Sequence, residues 1–196
     1  LRILHARRGQ RSARACAPPA AAEYRLKLES MQVTGAFKVR GATCRALQLT
    51  ADERGRGLIT ASGGNHGLGV ACAGQLVGAH ALVYLPENAP EYKAEALRGW
   101  GAEVRRVGVV WDEANEAALA EAERSGRAYL HPFADHDIIA GQGTIALELL
   151  EDAPDTEVLV VPIGGGGLIA GMANAARLVN PELRIVGVEP VGAPTL

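Results

Sequence analysis

Glu157-Val-Leu-Val-Val-Pro-Ile163 leads without a break into Gly164-Gly-Gly-Gly167, and then into Leu168-Ile-Ala-Gly-Met172. The first piece is a short continuous apolar run, which predicts a buried strand. The last opens a helix reaching about Val179. Four glycines between them carry no Cβ, so their backbone N–H groups can approach a ligand closely. The helix N-terminus adds partial positive charge at the same place. Strand, glycine loop and helix together predict an anion site, most naturally for a phosphate. Gly165-x-Gly167-x-x-Ala170 also fits a dinucleotide fingerprint, and Glu189 ends the next strand where a ribose-binding acid should lie. The Lys-Ser/Thr of a nucleoside triphosphate loop is missing.

The same alternation runs outward along the chain. Tyr24–Glu29 alternates like a strand, and Thr34 can cap a helix running through Phe37 to about Leu49. Strands are predicted over 57–61, 80–85, 102–107, 128–131 and 184–189. Helices are predicted over 65–77, 90–98, 112–125 and 143–151. Strands alternating with helices imply an α/β fold, a mostly parallel sheet with helices on both faces. Ligands in such sheets bind beyond the strand C-termini, so the loops after strands carry the information. One such loop is Ser62-Gly-Gly-Asn-His66, whose hydroxyl, amide and backbone N–H groups suit a carboxylate. A plain helix cap by Ser62 or Asn65 reads equally well from this motif alone.

Composition narrows the chemistry. The 196 residues carry a net charge of −2, which speaks against a nucleic-acid or polybasic membrane role. Apolar runs are broken by Gly, Pro or charge before they could span a bilayer. Of 20 basic residues only three are lysines, so an amine nucleophile must be Lys27, Lys38 or Lys93. Lys38 reads by default as a surface helix lysine; against that, it stands between Phe37 and Val39, where partial desolvation would lower its pKa and make it a nucleophile or base. Lys27 and Lys93 read as ordinary solvated lysines. Cys16, Cys44 and Cys72 form no CxxC pair, which fits a reducing, cytoplasmic setting without disulfides or structural zinc. The first 22 residues hold five arginines and no acid, which reads as a transit-like or poorly structured lead.

Four motifs then occur in a fixed order: Lys27-Leu-Glu-x-x-Gln-x-Thr-Gly-x-Phe-Lys38, Ser62-Gly-Gly-Asn-His-Gly67, Ile139-Ala-Gly-Gln-Gly-Thr144 and Gly164-Gly-Gly-Gly167. The set resembles the serine/threonine dehydratases of the tryptophan-synthase-β-like (fold type II) pyridoxal-phosphate (PLP) enzymes, across about residues 24–193. The resemblance implies that Lys38 forms the Schiff base with the cofactor and later removes the α-proton. It implies that Phe37 packs against the pyridine ring, Asn65 meets the ring hydroxyl, and Gly164, Gly165, Gly166 and Gly167 hold the phosphate. Ser62, Gly63, Asn65 and His66 would line the substrate carboxylate site. A two-domain architecture is implied: a large PLP-binding domain from 1–56 and 137–196, with a small α/β domain of 57–136 inserted. So is a lyase of amino-acid metabolism, acting on threonine or serine to give a 2-oxo acid and ammonia, as a homodimer.

The chain also departs from that pattern. Relatives are longer, so it resembles a C-terminally truncated member, without the part that normally partners the pyridine nitrogen. No Thr-Pro-Leu segment precedes Glu23. Related racemases place a second acid/base serine where this chain has Gly63, which favours elimination over racemisation. Glu189 and Ala193 align with a cation site, but an acidic ligand expected near Thr195 is absent, so no metal is expected. The rival readings are an NAD-binding oxidoreductase domain and a non-catalytic PLP- or amino-acid-binding remnant.

Overall fold

The computed structural model describes residues 24–195. The Arg-rich lead and the segment lacking Thr-Pro-Leu fall outside them.

A short 3-10 turn at Glu29–Met31 precedes α1 (Lys38–Gln48) and α2 (Ala51–Arg56). Then come β1 (Leu58–Ala61), α3 (Asn65–Val77), β2 (Ala81–Leu85), α4 (Glu91–Gly99), β3 (Glu103–Arg106), α5 (Trp111–Ser125) and β4 (Ala128–Tyr129). The chain closes with α6 (His136–Asp152), β5 (Val158–Pro162), α7 (Gly167–Val179) and β6 (Arg184–Val188). Side chains cap several starts, as helix N-termini require. Asp135 accepts from the N–H groups of Asp137 and Ile138 at 2.9 and 3.1 Å and starts α6. Thr50 and Glu53 form a reciprocal capping box on α2. Gly78 and Gly126 close α3 and α5 in the left-handed region, with φ of 70° and 68°.

The strands form two parallel sheets. One has the order β3-β2-β1-β4, with Leu58 opposite both Ala81 and Ala128. Its two central strands are buried along their whole length, because helices cover both faces. Leu85, Ala94 and Leu97 fill the face toward α4, while Ile59, Leu82, Ala114 and Ala118 fill the face toward α5. The second sheet pairs β5 with β6. There α6 and α7 bury Leu159 and Val161 with Ile145, Leu150, Met172 and Ala176.

Three helices meet through glycine. A Cβ on Gly141 of α6 would lie 2.6 Å from Gly41 Cα and 2.8 Å from Arg40 O on α1. A Cβ on Gly143 would lie 2.8 Å from Gly171 O on α7. The Ile139–Thr144 motif is thus the seam of a three-helix junction, where missing side chains let backbones touch.

Several expectations are corrected. Residues 24–28 form no strand; Lys27 pairs instead with Glu148 on α6, and Arg25 with Asp155 just beyond its end. Thr34 caps nothing; its hydroxyl is buried without a partner, and Phe37 stands at the N-cap of α1. The helix expected from Gly143 begins at His136. β5 is covered on one face only, with Val160 62 % exposed against 1 % for Val161.

Candidate functional site

Lys38 is the first residue of α1, and its Nζ donates to the Pro132 carbonyl at 2.5 Å. The amine also lies 5.4 Å from the centre of the Phe37 ring. Burial lowers the Lys38 pKa from that of an exposed lysine, which favours a neutral, nucleophilic amine. α3 packs tightly on this start: a Cβ on Gly69 would lie 3.0 Å from the Lys38 carbonyl carbon. Phe37 is half-buried and packs toward the core between α6 and α7.

The glycine loop reaches the same place through Phe133. A Cβ on Gly165 would meet the Phe133 ring at 2.5 Å, and one on Gly167 would meet Phe133 O at 2.8 Å. Gly164 and Gly166 face open space, and Gly166 has φ 80°, which glycine adopts without strain. None of the four loop N–H groups has a hydrogen-bond partner among the described residues. Four donors without a partner among the described residues at the start of α7, with open space at the Cβ positions of Gly164 and Gly166, fit a phosphate. The buried amine of Lys38 fits an aldehyde. On both counts the residues present suit PLP.

The β1–α3 loop adds the third wall. His66 is 4 % exposed, and its ring Nε2 lies 2.9 Å from the Leu130 carbonyl. A carbonyl only accepts, so Nε2 carries the proton and Nδ1 is a buried acceptor without a partner among the described residues. Burial, together with the Lys38 and His131 charges, pushes the His66 pKa down to about 4, despite the favourable bond to Leu130. Ser62 Oγ accepts from Gly64 N–H at 3.3 Å. Asn65 is exposed, and its side-chain amide has no hydrogen-bond partner among the described residues. Two adjoining clefts of about 450 and 220 Å³ open beside Gly63 and Gly64. Lys93 lines both, where sequence reading had it simply solvated.

Lys38, Phe37, His66 and the glycine loop are therefore brought together through the Leu130–Phe133 segment. Ser62, Gly63 and Asn65 lie on the cleft side of the same loop, with no hydrogen bond to Lys38. Sequence reasoning overlooked the His131-Pro-Phe133 segment, although it is the loop following a strand and therefore sits where ligands bind. It also overlooked Arg40. That guanidinium is 2 % exposed and bonds Glu29 at 2.7 and 2.9 Å and Glu148 at 2.7 and 2.8 Å. Lys27 meets Glu148 at 2.9 Å rather than water. Much of the first motif is thus an ion-pair clamp between residues 27–40 and α6. Glu189 accepts from Thr195 N–H at 2.8 Å, and no cluster of three or more metal-ligating side chains occurs among the described residues. No helix among them is long and apolar enough to cross a membrane.

Comparison with known proteins agrees with this geometry. A family model described as "Pyridoxal-phosphate dependent enzyme" matches residues 12–196. An L-threonine ammonia-lyase of Thermotoga maritima is 48 % identical over 174 residues, covering 89 % of this chain and 43 % of that protein. The solved processed form of threonine deaminase isoform 2 from Solanum lycopersicum superposes with a TM-score of 0.84 at 40 % identity, over 86 % of this chain and 47 % of that one. Maize serine racemase superposes with a TM-score of 0.81 at 38 % identity, over 85 % and 50 % respectively. The chain thus spans about half the length of the relatives it matches.

Proposed function

This chain belongs to the pyridoxal-phosphate dependent enzyme family, and from that premise we propose that it carries the cofactor site of an ammonia-lyase acting on threonine or serine. The observation that carries the reading is the partly buried Lys38 amine, joined through Pro132 and Phe133 to a glycine loop whose four N–H donors have no partner among the described residues. The named relatives support the substrate class: one is a threonine ammonia-lyase and another a threonine deaminase.

PLP supplies an aldehyde that bonds amines and a ring that accepts an electron pair. The protein's part is binding, orientation and proton handling. Gly164, Gly165, Gly166 and Gly167 hold the phosphate on backbone N–H groups. With the cofactor bound, Phe37 would flank the ring and Asn65 would donate to its hydroxyl. Lys38 would anchor the cofactor and would take the α-proton onto Nζ; its partial burial keeps that nitrogen unprotonated more readily than an exposed amine. Ser62, Gly63, Asn65 and His66 receive the substrate carboxylate. The His66 ring has already given its only proton to Leu130 O, so its contribution there is its backbone N–H at the start of α3. Loss of the β-hydroxyl as water, and hydrolysis of the resulting enamine, give a 2-oxo acid and ammonia.

The same reading divides the chain into a large domain from 1–56 and 137–196 and an inserted domain of 57–136. We further propose a homodimer, on the family resemblance, and a cytoplasmic setting, on cysteine usage. Ammonia release from L-threonine and L-serine by the PLP-loaded protein tests the activity. A protein that binds PLP through Lys38 and releases none is a binding remnant instead.

A further inference from the structure

The turn after β4 reads His131-Pro-Phe-Ala134, and one ring nitrogen holds it. His131 Nδ1 accepts from Phe133 N–H at 3.2 Å and from Ala134 N–H at 2.9 Å. A ring nitrogen that accepts carries no proton, so the neutral ring has its hydrogen on Nε2. The ring also stands edge-on to Phe133, with centroids 4.6 Å apart, and to Tyr129 at 6.3 Å. Side-chain acceptance from the next two or three N–H groups closes a backbone turn in the manner of Asx turns. Proline at 132 narrows that turn further by fixing φ.

Both faces of the turn are in use. Its Pro132 carbonyl takes the Lys38 amine, and its Phe133 lies against Gly165 and Gly167. If the turn opens, the amine loses its station and the glycine loop loses its backing in the same event. We propose that His131 is a positioning residue of the cofactor site, whose Nδ1 acceptor fixes the turn that stations Lys38 and supports Gly164–Gly167. The proposal rests on the cofactor reading above for its ligand, and on the local geometry alone for the turn.

Two substitutions separate the acceptor from the ring. His131→Phe keeps the aromatic packing and removes the acceptor. His131→Asn removes the ring and keeps a short acceptor suited to the same turn. In PLP-free protein, hydrogen exchange at Phe133 and Ala134 should accelerate about tenfold in His131→Phe and stay within about threefold of wild type in His131→Asn. The PLP dissociation constant should rise about tenfold in the first and stay within about threefold in the second.

The reverse order would assign the turn to ring packing and overturn the proposal. Two variants that both match wild type, or both fail alike, would overturn it as well. Should His131→Phe not fold, nitrogen NMR of the wild-type ring decides: Nδ1 must be the unprotonated nitrogen, and a protonated Nδ1 overturns the proposal. Wild type that binds no PLP would overturn the cofactor reading, and hydrogen exchange would still decide whether Nδ1 holds the turn.

Discussion

Arg40 and Glu148 meet through two parallel bonds of 2.7 and 2.8 Å, with the guanidinium almost wholly buried. The other edge of the guanidinium takes Glu29 in the same two-bond manner. Burial raises the Glu148 pKa, but hydrogen bonds from Arg40 and Lys27 outweigh it and hold the carboxyl below its usual range. Burial likewise opposes the Arg40 charge, and Glu148 and Glu29 together still hold its pKa above the ordinary value. The pair ties the residue two positions after Lys38 to α6, so the ion pairs fix the start of α1 that carries Lys38.

Breaking this clamp should cost stability. Arg40→Met leaves two partly buried carboxylates without their shared cation, a loss of about 3–5 kcal/mol. Urea unfolding measures it. A loss under about 1 kcal/mol would mean that the clamp is solvated and neutral.

Glycines of the two kinds should respond differently. Gly143→Ala places a methyl 2.8 Å from the Gly171 carbonyl and 3.2 Å from Ala175 Cβ. It should destabilise by about 1–3 kcal/mol. Gly164→Ala meets nothing within 4 Å and should stay within about 0.5 kcal/mol of wild type. Its methyl enters the space assigned to the phosphate, so PLP affinity should drop. Thermal melts beside PLP titration check both; unchanged affinity in Gly164→Ala would move the phosphate elsewhere.

Acid should weaken the fold through His66. Its folded pKa is about 4, below the value of about 6.5 for an unfolded histidine. The unfolded chain therefore binds a proton first as pH falls. Stability from this group is full above about pH 6.5, declines between about 6.5 and 4, and is lost below. Between pH 7 and pH 5 the loss is on the order of 2 kcal/mol. Denaturant titrations at both values, in wild type and in His66→Asn, check the slope. Equal pH dependence in the two proteins would contradict a buried neutral imidazole.

If Gly63 lines the substrate site as proposed, it is the position that should separate elimination from racemisation. Its Cβ position lies 3.0 Å from Leu85 Cδ2 and 3.4 Å from Lys93 Cδ, so a serine fits once the leucine yields slightly. The PLP-loaded Gly63→Ser protein should interconvert L- and D-serine measurably, and wild type should not. Chiral chromatography of the amino acid reads the outcome. Racemisation by wild type would remove Gly63 from this role.

Much of this was legible in sequence. The β5–glycine–α7 unit reads directly from residues 157–179, because an apolar run, a glycine run and a helical pattern are local signals. The parallel sheet follows from the strand–helix alternation. The start of α6 does not: the sequence predicts the helix only from Gly143, because glycines at 141 and 143 weaken a helical pattern, and the approach of α1 and α7 that favours them involves residues far along the chain. The open face of β5 is equally hidden, since a continuous apolar run reads the same whether one face is covered or two. For the site, Lys38 stood out only once its apolar neighbours were read together with the motif ending in Phe37-Lys38. His131 did not, because its bonds depend on a turn geometry that composition does not encode. Lys27 looked solvated, since Glu148 lies far along the chain.

The central claim, that Lys38 is the cofactor-bearing amine, is tested most directly by visible absorption with added PLP, before and after borohydride, in wild type and Lys38→Ala. The account predicts a yellow species in wild type that borohydride fixes onto the peptide containing Lys38, and none in Lys38→Ala. The same band in both proteins, or a reduced adduct on Lys27 or Lys93, would contradict it.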